Sequence, residues 1–137
     1  LATNRFININ YRGINMLAYA TVGSNNFERS VPFYTQLLAT QGVTKIFDHP
    51  RGGVLFGKAG KLVLGVLKPF DGQSATAGNG AMVAFDLPSR DAVNAFHAKA
   101  LELGATDEGA PGERGQGFYM AYFRDLEGNK FCACRIG

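Results

Sequence analysis

Two stretches of this chain repeat one another. Ala18-Tyr19-Ala20-Thr21-Val22 reads as a strand and leads into a helical pattern carrying Phe33 and Leu38, then Gly42 and Thr44. Ala81-Met82-Val83-Ala84-Phe85 does the same, leading to Phe96 and Leu101, then Gly104 and Thr106. The offset is 63 residues through strand and helix and 62 at the glycine. A unit of this size present only twice constrains the chain to paired half-domains, because a solenoid buries its core only with three or more units. Tyr19 and Met82 occupy equivalent places in the two copies.

Each copy predicts the element order βαβββ, hence an α+β fold. In the first, a strand over residues 16–22 precedes Ser24, Asn25 and Asn26, with Glu28 in capping-box spacing from Asn25. Pro32 is expected in the first turn of a helix starting near Ser30, because a helix interior does not favour proline. Val31, Phe33, Tyr34, Leu37 and Leu38 form its apolar stripe, and Gly42 ends it. Short strands are expected over residues 43–48, 53–56 and 62–67, with glycine-bearing turns between them. The second copy predicts a strand over 81–86 and a helix over about 90–103. A short strand near Thr106, a Gly-rich loop over 109–117, and strands over 118–124 and 130–134 follow. Residues 1–13 are read as an N-terminal extension in which residues 6–11 pair as an edge strand or form a loose leader. Residues 14–137 are one domain: module one 14–71, linker 72–80, module two 81–137.

The 137 residues suffice for a core without staples, with 46% hydrophobic and 18% charged residues. Net charge is +3 and the basic residues never form a run, which gives nucleic-acid binding no support. No apolar stretch approaches the roughly 18–20 residues of a membrane span, and a charged-then-apolar leader pattern is not seen. Cys132 and Cys134 lie two apart on one strand, so their Cα atoms are about 7 Å apart on one side, at the edge of disulfide reach. Reduced thiols and a cytoplasmic setting are the expectation.

The doubled βαβββ order, Phe27-Glu28-Arg29-Ser30 with Pro32-Phe33-Tyr34, Gly78-Asn79-Gly80, Pro88-Ser89-Arg90, Ala95-Phe96-His97 and the run from Asp107 to Gly112 together resemble the vicinal oxygen chelate superfamily. That superfamily includes glyoxalase I, bleomycin-resistance proteins, fosfomycin-resistance enzymes and extradiol dioxygenases. Arg124-Asp125-Leu126-Glu127-Gly128-Asn129-Lys130 resembles the family's turn before the last strand, with Leu126 in place of the usual proline. The resemblance implies two modules forming a U-shaped trough with helices on the outer face, and a homodimer. In metal-dependent relatives a His from the first strand of each half and a Glu from the last strand hold a divalent ion. Those positions fall on Tyr19, Met82 and Cys132, and no donor side chain stands in residues 62–67. Hard divalent ions prefer carboxylate, imidazole and water, so the expectation is no metal and no cofactor. A Tyr, Met and Cys set, with Cys134, suits a soft ion such as Cu(I) better, although Met and Cys in strands more commonly fill cores.

The resemblance to the fosfomycin-resistance branch places Tyr122 in the trough, and strand parity adds Met120 and Phe118 to its face. With Tyr19, Met82 and Cys132 they are the expected ligand pocket, and Arg114, in the Gly-rich loop, is a flap residue able to meet an anion. His97, beside Phe96, is expected to pack partly exposed, and His49 to be a solvated turn residue. A thiolate nucleophile at Cys132 would need a nearby base or cation, for which Lys130 and Arg135 are the local candidates. The leading functional expectation is a metal-free protein that binds a small apolar or aromatic molecule in the trough. The alternatives are a glyoxalase-type lyase or isomerase built on Tyr19, Tyr122 and Cys132, and an interaction or regulatory module with a filled trough.

Overall fold

A computed structural model describes residues 16–137, so the reading of residues 6–11 lies outside the described residues. The first module comprises β1 (Ala20–Gly23), α1 (Phe27–Ala39), β2 (Thr44–Asp48), β3 (Gly53–Lys58) and β4 (Lys61–Leu67). The second comprises β5 (Val83–Asp86), α2 (Arg90–Glu102), β6 (Thr106–Glu113), β7 (Phe118–Arg124) and β8 (Lys130–Ile136). Each module builds a four-stranded sheet, ordered β1-β4-β3-β2 in the first and β5-β8-β7-β6 in the second. The opening strand of each module pairs parallel with the closing one, and the remaining pairs are antiparallel. The architecture is therefore α+β, with two βαβββ modules.

Three local features differ from expectation. First, α1 starts at Phe27 and takes Pro32 into its interior. Asn26 is the N-cap, its side chain accepting from Arg29 N and its carbonyl from Ser30 N. The entry to this helix is held from the other module. Glu127 Oε1 accepts from Ser24 Oγ at 2.9 Å and from the backbone N–H groups of Asn25 and Asn26 at 2.9 and 3.1 Å. A carboxylate at a helix N-terminus satisfies orphan donors and opposes the helix dipole favourably. Second, the strand expected over 16–22 begins at Ala20. Third, most of the Gly-rich loop is strand: Gly109 to Glu113 belong to β6, and the register against β7 shifts on both sides of Gly109. As the sheet's edge strand, β6 accommodates Pro111, whose missing N–H a central strand could not spare. Only the segment Arg114-Gly115-Gln116-Gly117 turns, closed by the Arg114 N–H on Phe118 O at 2.7 Å.

Both helices bury one side in a single core shared by the two modules. Phe85 stacks on Phe131 (centroids 5.4 Å apart) and Phe131 on Phe123 (5.5 Å), while Tyr34 of α1 tilts onto Phe131 at 5.8 Å. Such ring pairs add about 0.5–1.5 kcal/mol each beyond their buried area. Tyr34 also donates its hydroxyl to Asp125, in the turn before β8. Burial, and secondarily the Asp125 carboxylate, push the Tyr34 phenol pKa far up, so it stays a donor. Asp125 further accepts from Glu127 N, Asn129 N and Asn129 Nδ2, and Asn129 Nδ2 also reaches Gly23 O at 3.1 Å. In this chain the Arg124–Lys130 turn thus serves as a clasp between modules.

Candidate functional site

Alternation along β7 and β8 sorts side chains onto two faces. Ala121, Phe123, Phe131 and Ala133 enter the shared core with α2. Their neighbours Phe118, Met120, Tyr122, Lys130, Cys132, Cys134 and Ile136 therefore line the opposite face, where Tyr122 stands across from Cys132 and Met120 across from Cys134. On the adjoining β5, Ala84 stands beside Cys132 and Asp86 beside Cys134, and parity brings Met82, just before that strand, to the same side. Met82, Phe118, Met120, Tyr122 and Cys132 thus share one face of the second sheet. Tyr19 belongs to the first module. It precedes β1 in the first sheet and borders a depression with Lys58, Lys61 and Leu62. Met82 borders a separate depression of about 200 Å³ with Thr21, Asn129 and Lys130. Tyr19 and Met82 are 47% and 46% exposed, so both remain available to contact a ligand or another chain.

Tyr122 is the centre of this face. Its ring lies beneath two cations, with Arg114 Cζ 5.7 Å and Lys130 Nζ 5.4 Å from the centroid, both within cation–π range. Its hydroxyl donates to Met120 Sδ at 3.1 Å. The bulges and glycines of β6 make the berth for Arg114. A Cβ at Gly112 would come within 2.9 Å of Arg114 Nη1, and one at Gly109 within 2.9 Å of the Tyr122 ring. Arg114 Nη2 donates to Ala110 O at 2.7 Å, which folds the guanidinium back over the sheet. Among the described residues, no carboxylate lies within ion-pair distance of Arg114 or Lys130, whereas Arg90 and Arg124 are paired with Glu113 and Glu108. The sequence points to Arg114 as a flap residue but gives Lys130 no such place. Parity is the signal that could have found it, since Lys130 stands two residues before Cys132 on the same strand face.

Cys132 is wholly buried and Cys134 5% exposed, and both are free thiols. A hydrogen bond to Cys134, then burial, push the Cys132 thiol pKa well up. A proton held this firmly leaves little thiolate at neutral pH and speaks against Cys132 as a nucleophile.

Tyr19, Met82 and Cys132 do not fit the divalent ion of metal-dependent relatives. Phenol, thioether and a firmly protonated thiol are poor partners for a hard cation. Among the described residues, no three His, Cys, Asp or Glu side chains form a group able to hold an ion.

The histidines sit elsewhere. His97 is more buried than expected, 4% exposed, with Nε2 3.1 Å from Asp107 Oδ1 and 3.2 Å from Tyr122 O. It therefore ties α2 to the backbone behind Tyr122. A backbone hydrogen bond from Gly109, then His97, hold the Asp107 carboxyl below its usual pKa. A lowered folded-state pKa stabilises above the ordinary carboxylate range and is lost as pH falls through the lowered value. The melting temperature of the native chain should therefore fall more steeply on acidification than that of Asp107→Ala. Parallel acid titrations monitored by circular dichroism check this. His49 borders a cavity of about 490 Å³ with Thr21, Arg51, Lys68 and Phe70, and its Nδ1 accepts from Arg51 N.

Residues 19–134 match a family model described as a glyoxalase-like domain. A crystal structure of a glyoxalase/bleomycin resistance protein from Albidiferax ferrireducens superposes with a TM-score of 0.78 at 35% identity, covering 88% of this chain and 98% of that one. A glyoxalase/bleomycin resistance protein/dioxygenase family enzyme from Burkholderia phytofirmans gives 0.70 at 22% identity, covering 88% and 98%. A fosfomycin resistance protein from Listeria monocytogenes, crystallised with Mn(II) and a dihydroxypropylphosphonic acid, gives 0.66 at 17% identity, covering 89% and 90%. No curated protein matches the chain significantly.

Proposed function

Because the chain belongs to the glyoxalase-like domain family of the vicinal oxygen chelate superfamily, we propose that it binds a small aromatic or apolar molecule bearing an anionic group. The ligand would lie on the face of the second sheet around Tyr122, without help from a divalent ion. One observation carries this reading: the Tyr122 ring is overlaid by Arg114 and Lys130, two cations that no carboxylate of the described chain neutralises. Two unpaired cations over an aromatic ring suit an anion on a flat or apolar body, and Phe118, Met120 and Met82 supply apolar surface for that body. Donor chemistry at Tyr19, Met82 and Cys132 supports sequestration over metal-assisted turnover.

A second copy of the chain fits the same reading. β2 is an edge strand exposed along its whole length, and it displays Ile46 and Phe47. Open edges of this kind favour cover, and a homodimer would enclose the ligand face as a trough. Two free thiols suit a reducing compartment such as the cytoplasm.

A panel of aromatic carboxylates, benzoate and naphthoate among them, tests the reading by thermal shift and calorimetry. A ligand at a hundredfold its dissociation constant stabilises by about 2.7 kcal/mol. Removing one cation from a partly exposed site costs roughly 1 kcal/mol. Arg114→Ala and Lys130→Ala should therefore each weaken binding about fivefold, and the ligands' neutral amide analogues should lose the shift. Equal affinity in native chain and variants would count against the assignment.

A further inference from the structure

The face that carries Tyr122 also gathers three sulfur atoms, and they suggest a different guest. Cys132 and Cys134 project from β8 to the same side, two residues apart. Met120 stands directly across from Cys134 on β7. Opposed residues of antiparallel strands hold their Cβ atoms about 4.5–5.5 Å apart, so Met120 and Cys134 are side-chain neighbours across the two strands. Tyr122 donates to Met120 Sδ and thereby orients it. None of the three sulfurs belongs to the core beneath α2, although both cysteines are buried.

We propose that Cys132, Cys134 and Met120 form a binding site for a soft d10 cation, Cu(I) being the physiological representative. Two thiolates and a thioether make a low-coordinate, all-sulfur set, the kind that selects such ions over hard or borderline ones. Binding balances without electron transfer: Cu(I) displaces the two thiol protons to solvent and forms two copper–thiolate bonds, with the thioether as a neutral third donor. Displacement of both protons makes the affinity rise with pH. The site shares only Cys132 with the divalent-ion positions of metal-dependent relatives and uses neither Tyr19 nor Met82. It adjoins the seat of the anionic ligand proposed above, with which it shares Met120, but it uses neither Arg114 nor Lys130.

The test is anaerobic titration of the full chain with Cu(I) buffered by the competing chelator bicinchoninate. One equivalent bound per chain is expected, together with protection of both thiols from N-ethylmaleimide. Cys132→Ser and Cys134→Ser should each abolish uptake, and Met120→Leu, which keeps both thiols and the packing volume, should weaken it at least tenfold. Failure of the native chain to bind one equivalent overturns the site. So does uptake that survives in the double serine variant, or full affinity in Met120→Leu. If the serine variants do not fold, Met120→Leu and thiol protection in the native chain decide the question. Aromatic-carboxylate binding that persists while copper fails would overturn this site alone.

Discussion

Replacing Asp125 by alanine should cost about 3 kcal/mol or more of folding stability. The buried carboxylate accepts from four donors: Tyr34 OH, Glu127 N, Asn129 N and Asn129 Nδ2. Alanine leaves Tyr34 OH, Glu127 N and Asn129 N without a partner and Asn129 Nδ2 with Gly23 O alone, and each orphaned donor costs roughly 1–3 kcal/mol before relaxation or water entry recovers part of it. The loss also propagates. The turn that Asp125 shapes presents Glu127 to the N-terminus of α1 and Asn129 to Gly23, so the clasp between modules loosens with it. Against a total of about 5–15 kcal/mol, this is a large fraction. Asp125→Asn keeps one acceptor oxygen and should cost less than alanine, and Tyr34→Phe should remove only the hydroxyl share. Urea denaturation of the three variants checks the order. A loss below about 1 kcal/mol in Asp125→Ala would show that the clasp does not hold the modules together.

Gly53→Ala should be comparably damaging for a different reason. Gly53 opens β3 with φ near +108°, a backbone conformation L side chains rarely adopt. A Cβ there would sit 2.1 Å from Val66 O and 2.8 Å from Leu67 Cα, both backbone atoms of β4 that cannot swing aside. The conformational strain alone is of order 1–3 kcal/mol. Relief of the clash must also break the β3–β4 ladder at its end, giving about 3 kcal/mol or more in total. Gly60→Ala is the control. Its φ is +76°, but nothing lies within 4 Å of the added carbon, so only the roughly 1–2 kcal/mol left-handed penalty applies. Thermal melts of the two variants should therefore separate by several degrees. Equal melting temperatures would refute the steric part of this reading.

The repeat makes most of the fold legible in the sequence. Apolar spacing in Phe33, Leu37 and Leu38, and again in Val93 and Phe96, identifies the buried helix sides, and all five are buried. Local rules misplace the helix entry because they cannot see Glu127, whose carboxylate caps α1 from a hundred residues away. The Gly-rich segment reads as loop because glycine and proline suggest irregular backbone. An edge strand tolerates both, and here the glycines clear space for Arg114. The family-like turn is legible as a motif, yet its work as a clasp depends on Tyr34, which the sequence offers only as a helix-stripe residue.

Strand parity groups Phe118, Met120 and Tyr122 from the sequence alone, because it is a local property of the backbone. Placing Tyr19 with them depends on how the two modules sit, which parity within one strand does not carry. Lys130 is harder to find in the sequence because charged residues beside turns usually face solvent. Parity assigns it to the Cys132 side of β8, and the cross-strand register then brings it over the Tyr122 ring.

The most direct measurement of ligand binding at this face is a two-dimensional amide NMR titration of the native chain with naphthoate. Binding around Tyr122 predicts saturable shifts at Arg114, Met120, Tyr122 and Lys130, with Tyr122→Ala abolishing them. Shifts confined to the Tyr19, Lys58 and Lys61 depression, or the same shifts persisting in Tyr122→Ala, would contradict it.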